Sequence, residues 1–287
     1  MALDEPLADW TSLRVGGPAD ALVRIDRRDE LAGVVALCRT HSVSVTILGG
    51  GFNALVRDGG LRGVVVRLAG LRTIRREGDA LVCAEAGVTH TQLTRYCAEQ
   101  GRSGLEFAVG IPGTVGGWIA MNAGVHGREM KDVVTSVELF LPERGAIVTR
   151  ANAELGFRYR TATLPPGAVV TEATFGTTAG TPDEIRERQK QSMAQRRATQ
   201  PVDQPSCGSV FVNPPGDYAG RLIEAAGLKG AREGAAMISP LHANFIVNTG
   251  GARAADVLRL IERVRTAVMA QFGVALETEV RIAGEEQ

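Results

Sequence analysis

Gly110-Ile111-Pro112-Gly113-Thr114-Val115-Gly116-Gly117-Trp118-Ile119-Ala120-Met121-Asn122-Ala123-Gly124 is the stretch from which the rest of the chain can be read. Five glycines and a proline in fifteen residues argue against a helix or strand interior, because glycine gives up backbone entropy there and proline removes a donor. The composition predicts a shaped loop. Such a loop can turn successive backbone N–H groups toward one point and hold an anion, a diphosphate for example, with no charged side chain. Taken alone it reads equally well as a glycine-rich turn without a ligand.

Working outward toward the N-terminus, a second loop of the same kind appears. The alternation over residues 21–25 predicts a strand, and residues 29–41 place Leu31, Val34, Val35, Leu37 and Cys38 at helical spacing. A β-branched run at 43–48 then breaks at Gly49-Gly50-Gly51-Phe52-Asn53, and a further strand is expected at 63–68. Gly49, Gly51 and Ala54 match the dinucleotide fingerprint in its small-residue positions. That reading fails, because the short stretch between Asn53 and Gly59-Gly60 leaves no room for the crossover helix that a Rossmann unit requires. What remains is a glycine-rich loop at a strand end, again suited to backbone contact with phosphates. Between the two loops, short alternating segments at 73–76 and 80–84 lead to a helix at 89–100 that Gly101 ends. Similar segments at 133–141 and 146–149 complete an antiparallel or mixed sheet. Two glycine loops, one in each sub-domain, can then face each other across a crevice.

Toward the C-terminus, Thr181-Pro182-Asp183-Glu184 reads as a helix start, with Thr181 as N-cap and Glu184 completing a capping box. The helix is expected to run to about Arg197, with Arg186, Arg188, Lys190, Arg196 and Arg197 forming a solvated face, of which Arg196 and Arg197 sit nearest the next loop and can do more. A linker at 201–205 leads to Ser206-Cys207-Gly208-Ser209-Val210-Phe211-Val212-Asn213. A helix at 217–226, a strand at 242–248, an amphipathic helix at 254–272 and a closing segment at 276–282 follow.

Composition narrows the function classes. With 287 residues, 44% hydrophobic and 22% charged, the chain is an ordinary globular protein of two or three domains. Lys plus Arg number 32 and Asp plus Glu 32, so no global field draws nucleic acid or an anionic membrane surface, and any anion is bound locally. No apolar run is long enough to span a bilayer, and residues 1–10 do not look like a secretion signal, so a cytoplasmic protein is expected. Cys38, Cys83, Cys97 and Cys207, and His41, His90, His126 and His242, show no paired or ligand spacing, which predicts reduced thiols and no structural metal.

Taken together, the motifs resemble one family, the UDP-N-acetylenolpyruvoylglucosamine reductases of peptidoglycan precursor synthesis. The resemblance covers nearly the whole chain. It rests on Arg14-Val15-Gly16-Gly17-Pro18-Ala19, Leu48-Gly49-Gly50-Gly51 with Asn53, the 110–124 stretch and Tyr159-Arg160. Downstream, Gly208-Ser209-Val210-Phe211, Gly227-Leu228-Lys229-Gly230, the 242–248 strand and Glu279-Val280-Arg281 add to it. The resemblance implies an α+β fold: a two-part FAD-binding domain of the vanillyl-alcohol-oxidase (PCMH) type and a C-terminal α/β substrate-binding domain. The expected limits are 1–70, with 280–287 as a candidate to rejoin it, then 71–198 and 199–279.

It also implies the chemistry. FAD is held without a covalent link, NADPH reduces it, and hydride passes to the enolpyruvyl β-carbon of UDP-GlcNAc-enolpyruvate while a proton reaches the α-carbon. Hydride addition β to a carboxylate builds an enolate-like dianion, so a cation at the carboxylate stabilises it. By resemblance Arg160 is that cation, Glu279 works beside it and Ser209 is the proton donor. Gly49, Gly50, Gly51, Asn53, Gly110, Gly113, Thr114, Gly116, Gly117, Asn122 and Gly124 are the expected cofactor contacts. Asn213, Arg197 and Lys229 are expected on the substrate with Arg160. A monomer with no nucleic-acid or membrane partner is expected.

The sequence departs from the family pattern in places. Phe52 replaces a common serine, Trp118 an alanine and His126 a tyrosine; the bulky changes either compensate in packing or narrow the nicotinamide approach. Val212-Asn213 lacks the basic residue often found there, so Arg197, Arg221 or Lys229 takes over that charge. Only about twenty residues separate Arg160 from Thr181, too few for the substrate-closing tyrosine insertion, which places the chain with the shorter subclass. The competing readings are a flavin oxidase of the same fold, which would often attach FAD through His or Cys, and a non-catalytic UDP-sugar or flavin binder, which would have lost Arg160, Ser209 and Glu279.

Overall fold

The computed structural model describes residues 1–286. Its contacts divide the chain into two units that interleave in sequence. The first holds Leu22–Gly50 and Gly63–Gln195, the second Ala2–Ala21, Gly51–Arg62 and the chain from Arg196 onward.

The first unit is built on a five-stranded antiparallel sheet. Its order is Ala146–Ala151, Val134–Leu141, Val169–Gly176, Leu81–Glu85 and Ile74–Glu77. Val82, Ala84, Val137, Leu139, Ala173 and Phe175 give the sheet its buried face. Helix α1 (Arg28–Thr40) buries Leu31, Val35 and Cys38 of its expected stripe, while Leu37 faces solvent at 62% exposure, and α2 (His90–Glu99) buries Leu93, Cys97 and Ala98. Thr89 caps α2 and Gly101, with φ +61°, follows it. The strand Val45–Ile47 pairs in parallel with residues 64–66, and no helix lies between it and Leu61–Arg67. The rejection of a Rossmann unit therefore holds.

Two expectations need correction here. The 110–124 stretch is not loop throughout: residues Val115–Ala120 form a short helix, α3, with Thr114 extended at its N-cap. Tertiary packing overrides the low helix propensity of Gly116 and Gly117. Val115, Trp118 and Ile119 are buried, and the missing side chain of Gly116 lets α3 approach Ala86, where a Cβ would stand 3.1 Å from the alanine Cβ. Trp118 is thus a core side chain, 1% exposed, its Nε1 donating to the Ile111 carbonyl at 3.2 Å. Helix α4 (Pro182–Thr199) likewise departs from a fully solvated basic face. Arg196 is 7% exposed and donates to Gln200 Oε1 at 2.7 Å, and Arg188 pairs with Glu106 at 2.8 Å.

The second unit carries a four-stranded antiparallel sheet ordered Ser206–Ser209, Phe245–Asn248, Ala236–Ile238 and Arg232–Glu233. Helices α5 (Ala219–Ala225) and α6 (Ala254–Phe272) pack with it. In α6 the 3.6-residue stripe Val257, Leu260, Ile261, Val264 and Val268 is buried, each side chain contributing about 1.5–3 kcal/mol. The Asp58 carboxylate accepts the Ala254 and Ala255 N–H groups at 2.9 and 3.0 Å, neutralising the positive end of α6. Gly273, at φ +66°, ends the helix. The strand Arg281–Ala283 pairs in parallel with Ala54–Val56, which starts directly after Asn53; of the expected 280–287 segment, Gln287 lies outside the described residues.

All four cysteines are free and buried. Among the described residues no helix is long and apolar enough to cross a membrane, and no cluster of His, Cys, Asp and Glu is arranged to hold a metal.

Candidate active site

In the first unit the two glycine loops meet. A Cβ placed on Gly49 would lie 3.1 Å from Thr114 Oγ1, so the strand end after Val45–Ile47 abuts the start of α3. The second loop is latched to residues 86–90. His90 N–H donates to Gly113 O at 3.1 Å, and the Val115 and Gly116 N–H groups donate to Val88 O and Ala86 O at 2.9 Å each. Those two amides are therefore committed within the protein and do not face an anion. Gly113, at φ +126°, turns the chain into α3, and a Cβ on exposed Gly117 would reach nothing nearer than Thr114 Oγ1 at 3.9 Å. Gly110 is also left-handed, at φ +73°.

A cation stands at this meeting point that sequence reading missed. Arg67, the last residue of Leu61–Arg67, reaches the Gly49 carbonyl with Nη2 at 3.4 Å. Burial first, and then the charges of Arg72 and Arg24, pull its pKa below the ordinary arginine value. An arginine remains charged in such a place, and an anion beside it would relieve both penalties. The signal in the sequence was an arginine closing an apolar strand. Backbone bare of side chains at Gly49, Gly50 and Gly117, with a guanidinium alongside, fits the diphosphate of FAD.

Arg160 also belongs to this unit. Arg158 and Thr161 exchange N–H···O bonds of 2.9 and 3.1 Å, making Tyr159 and Arg160 the centre of a two-residue turn. Arg160 has φ +57°, and its guanidinium carbon lies 4.8 Å from the Tyr159 ring centroid. Asn122 is fully buried, with its amide engaged by residues 129, 131 and 158. Gly124 pairs with Glu129 in a two-residue ladder. His126 is exposed, at φ +52°.

The second unit brings Ser209 and Glu279 together. Ser209 ends its strand opposite Phe245, and Gly208 before it turns at φ +77°. Glu279 N–H donates to Val210 O at 2.8 Å, directly beside Ser209, and the Glu279 carbonyl accepts Asn53 Nδ2 at 3.1 Å. Asn53 O in turn accepts Arg281 N–H at 3.1 Å, so this asparagine of the first glycine loop braces the Glu279 segment. On the other flank, Asn244 accepts Phe211 N–H at 2.9 Å and donates to Phe211 O at 2.8 Å. Neither asparagine's bracing was legible locally; the only signal for Asn244 was an amide inside an apolar strand. Burial, with Glu279 adding to it, pushes the neighbouring Cys207 thiol up to about 12.

The expected substrate residues of this unit have definite surroundings. Asn213 Oδ1 accepts Ala219 N–H at 3.0 Å, at the start of α5. Lys229 pairs with Glu224 at 2.8 Å, and Arg221 with Asp217. Arg197 is exposed near the end of α4. Phe52 is partly buried, its carbonyl 4.0 Å from a Cβ built on Gly208, and Gly51 is packed so closely on the Trp10 and Thr11 backbone that a side chain there would collide. Gly51 thus serves the fold of this unit. Burial, followed by the Lys229 charge, holds the His242 imidazole below its ordinary pKa.

Comparison with known proteins finds relatives over nearly the whole chain. The family model of the UDP-N-acetylenolpyruvoylglucosamine reductase C-terminal domain matches residues 200–283, and an FAD binding domain model matches residues 19–150. The chain is 50% identical over 98% of its length to a UDP-N-acetylenolpyruvoylglucosamine reductase of an Anaeromyxobacter species, covering 88% of that protein. It is 48% identical over 98% of its length to the Rubrobacter xylanophilus reductase, covering 95% of it. Among solved structures, the reductase of Thermus caldophilus superposes with a TM-score of 0.84 at 41% identity, over 98% of this chain and 97% of that one.

Proposed function

Because the chain belongs to the UDP-N-acetylenolpyruvoylglucosamine reductase family, we propose that it reduces UDP-N-acetylglucosamine enolpyruvate to UDP-N-acetylmuramate with NADPH as reductant. FAD bound here would supply the two-electron hydride chemistry that links NADPH to the enolpyruvyl β-carbon. Gly49, Gly50, Gly113, Thr114 and Gly117 would hold the FAD diphosphate with backbone, and Arg67 would offer it charge. Residues 1–70 and 71–198 form the FAD-binding parts and 199–279 the substrate part, and the enzyme works as a monomer in the cytoplasm. The balanced charge of the chain supports a small-molecule role without nucleic acid.

The side chains divide the work. Arg160 holds the enolpyruvyl carboxylate and opposes the negative charge that develops when hydride adds β to it. The Ser209 hydroxyl gives its proton to the α-carbon; a hydroxyl is a weak acid, yet the carbanionic carbon it quenches is strongly basic. Glu279, braced by Asn53 and Val210, orders the donor. Arg197, Asn213 and Lys229 contact the UDP-sugar. The observation that carries the reading is the bonding of Glu279 to the backbone beside Ser209 in a chain of this family.

The test separates the half-reactions. Ser209→Ala should bleach FAD with NADPH at a near-normal rate but reoxidise on anaerobic mixing with the enolpyruvyl substrate roughly 10²–10⁴-fold more slowly. Arg160→Met should slow the same step and weaken substrate affinity. Reoxidation at the wild-type rate in either variant removes that residue from the mechanism.

A further inference from the structure

We propose that Asn122 is a positioning residue for Arg160, fixing the guanidinium through the carbonyl of Arg158; the proposal rests on the reading of Arg160 given above. Gly156, Arg158 and Tyr159 are exposed, and Phe157 between them packs against the core on the way in, so the tip of the turn itself has little buried surface to hold it. Arg158 O receives two donors. One is Thr161 N–H at 3.1 Å, which closes the turn, and the other is Asn122 Nδ2 at 3.0 Å, which ties the turn to the buried interior.

Asn122 is itself oriented from every side. Nδ2 also donates to Glu129 Oε2 at 2.9 Å, and Oδ1 accepts Lys131 N–H at 2.9 Å. The Glu129 carboxylate is held by Lys131 Nζ at 2.8 Å. With 0% exposure, the amide has no water to trade partners with, and its two N–H groups and its oxygen all have protein partners. Its backbone sits at φ +40°, a conformation that asparagine tolerates better than most residues. It also follows α3 immediately, its own N–H donating to Ile119 O at 3.1 Å. One side chain therefore couples the second glycine loop to the turn that presents Arg160. Catalytic geometry is steep, and misplacement of about 1 Å can cost about 10²-fold.

The test uses the FAD-loaded enzyme and two variants. Asn122→Gly suits the positive φ and deletes the amide. Asn122→Asp keeps the acceptor for Lys131 but sets a carboxylate oxygen against both Arg158 O and the Glu129 carboxylate. In both, reoxidation with the enolpyruvyl substrate should slow about 10²-fold, and by far more than reduction of the bound flavin by NADPH. The aspartate variant should regain rate as pH is lowered, because a protonated carboxyl can donate again, whereas the glycine variant should not. Adding Arg160→Met to Asn122→Gly should slow reoxidation no further than Arg160→Met alone. Wild-type reoxidation in Asn122→Gly, equal slowing of both half-reactions, or a double variant slower by the product of the two effects would overturn the proposal. If Arg160→Met itself reoxidises normally, the reading of Arg160 falls and takes this one with it. Should the aspartate variant fail to fold, the glycine variant and the double variant decide alone.

Discussion

Replacing Asn244 with alanine is the perturbation whose size the structure sets most directly. Its side chain makes a matched pair of hydrogen bonds with the backbone of Phe211, N–H to Oδ1 at 2.9 Å and Nδ2 to carbonyl at 2.8 Å. Asn244 is 4% exposed and Phe211 1%, so water cannot replace the lost amide. Each stranded buried group costs about 1–3 kcal/mol, giving a loss of about 2–6 kcal/mol for the two. Asn244→Asp isolates one half of the pair: it still accepts the Phe211 N–H, and it regains a donor for the carbonyl only when protonated. Equilibrium urea unfolding of the holoenzyme, followed by circular dichroism, should show the alanine variant with a lower midpoint and an unchanged slope. The aspartate variant should recover relative to wild type as the buffer is acidified. Because Val210 and Phe211 continue the strand from Ser209, the alanine variant should also slow flavin reoxidation by substrate more than flavin reduction. A loss below about 1 kcal/mol, or an aspartate variant as unstable as alanine at every pH, would refute the reasoning.

Other outcomes can be checked alongside. Gly116→Val should strip FAD from the protein, since even a Cβ would stand 3.1 Å from Ala86 Cβ and the branched methyls must lever α3 away from the sheet; full flavin content would mean that α3 does not set the cofactor's seat. Acid precipitation should release all the yellow colour into the supernatant, and flavin left in the pellet would support a covalent oxidase instead. His242 has its pKa lowered by burial and by Lys229, so the unfolded chain takes up the proton first and stability is lost as pH falls below about 6.5. His242→Gln should remove that acid loss, and parallel melting-temperature curves for the two proteins between about pH 7.5 and 5.5 would contradict it.

What the sequence made legible was whatever depends on near neighbours. The apolar stripe of α6, the Gly101 end of α2 and the missing crossover after Gly51 are all visible within a few residues of each other. α3 was hidden because its reason for existing is Ala86, about thirty residues away, against which only a glycine can pack. The strand Val169–Gly176 was hidden for another reason. It is central and buried on both faces, yet it carries Thr171 and Glu172, and burying that glutamate is possible only because Arg75 and Arg28 reach it from other elements. In the candidate site, Ser209, Glu279 and Arg160 are proposed from their motifs. The residues that hold them, Asn244, Asn53 and Asn122, act on distant backbone through single amides, and no local pattern announces such a bond.

The burial of the four thiols gives the protein a set of internal clocks. Cys38, Cys83 and Cys97 lie in the first unit and Cys207 in the second, and burial pushes Cys97 and Cys207 up to about 12. A thiol that is both covered and protonated reacts with an alkylating reagent only when its surroundings open. The rate at which each sulfur is labelled therefore times the opening of the structure around it, and mass spectrometry of the labelled peptides can time all four in one experiment. Cys207, two residues before Ser209, would time the breathing of the strand that carries the proposed proton donor, and its slowing when substrate is added would measure how far binding closes that strand.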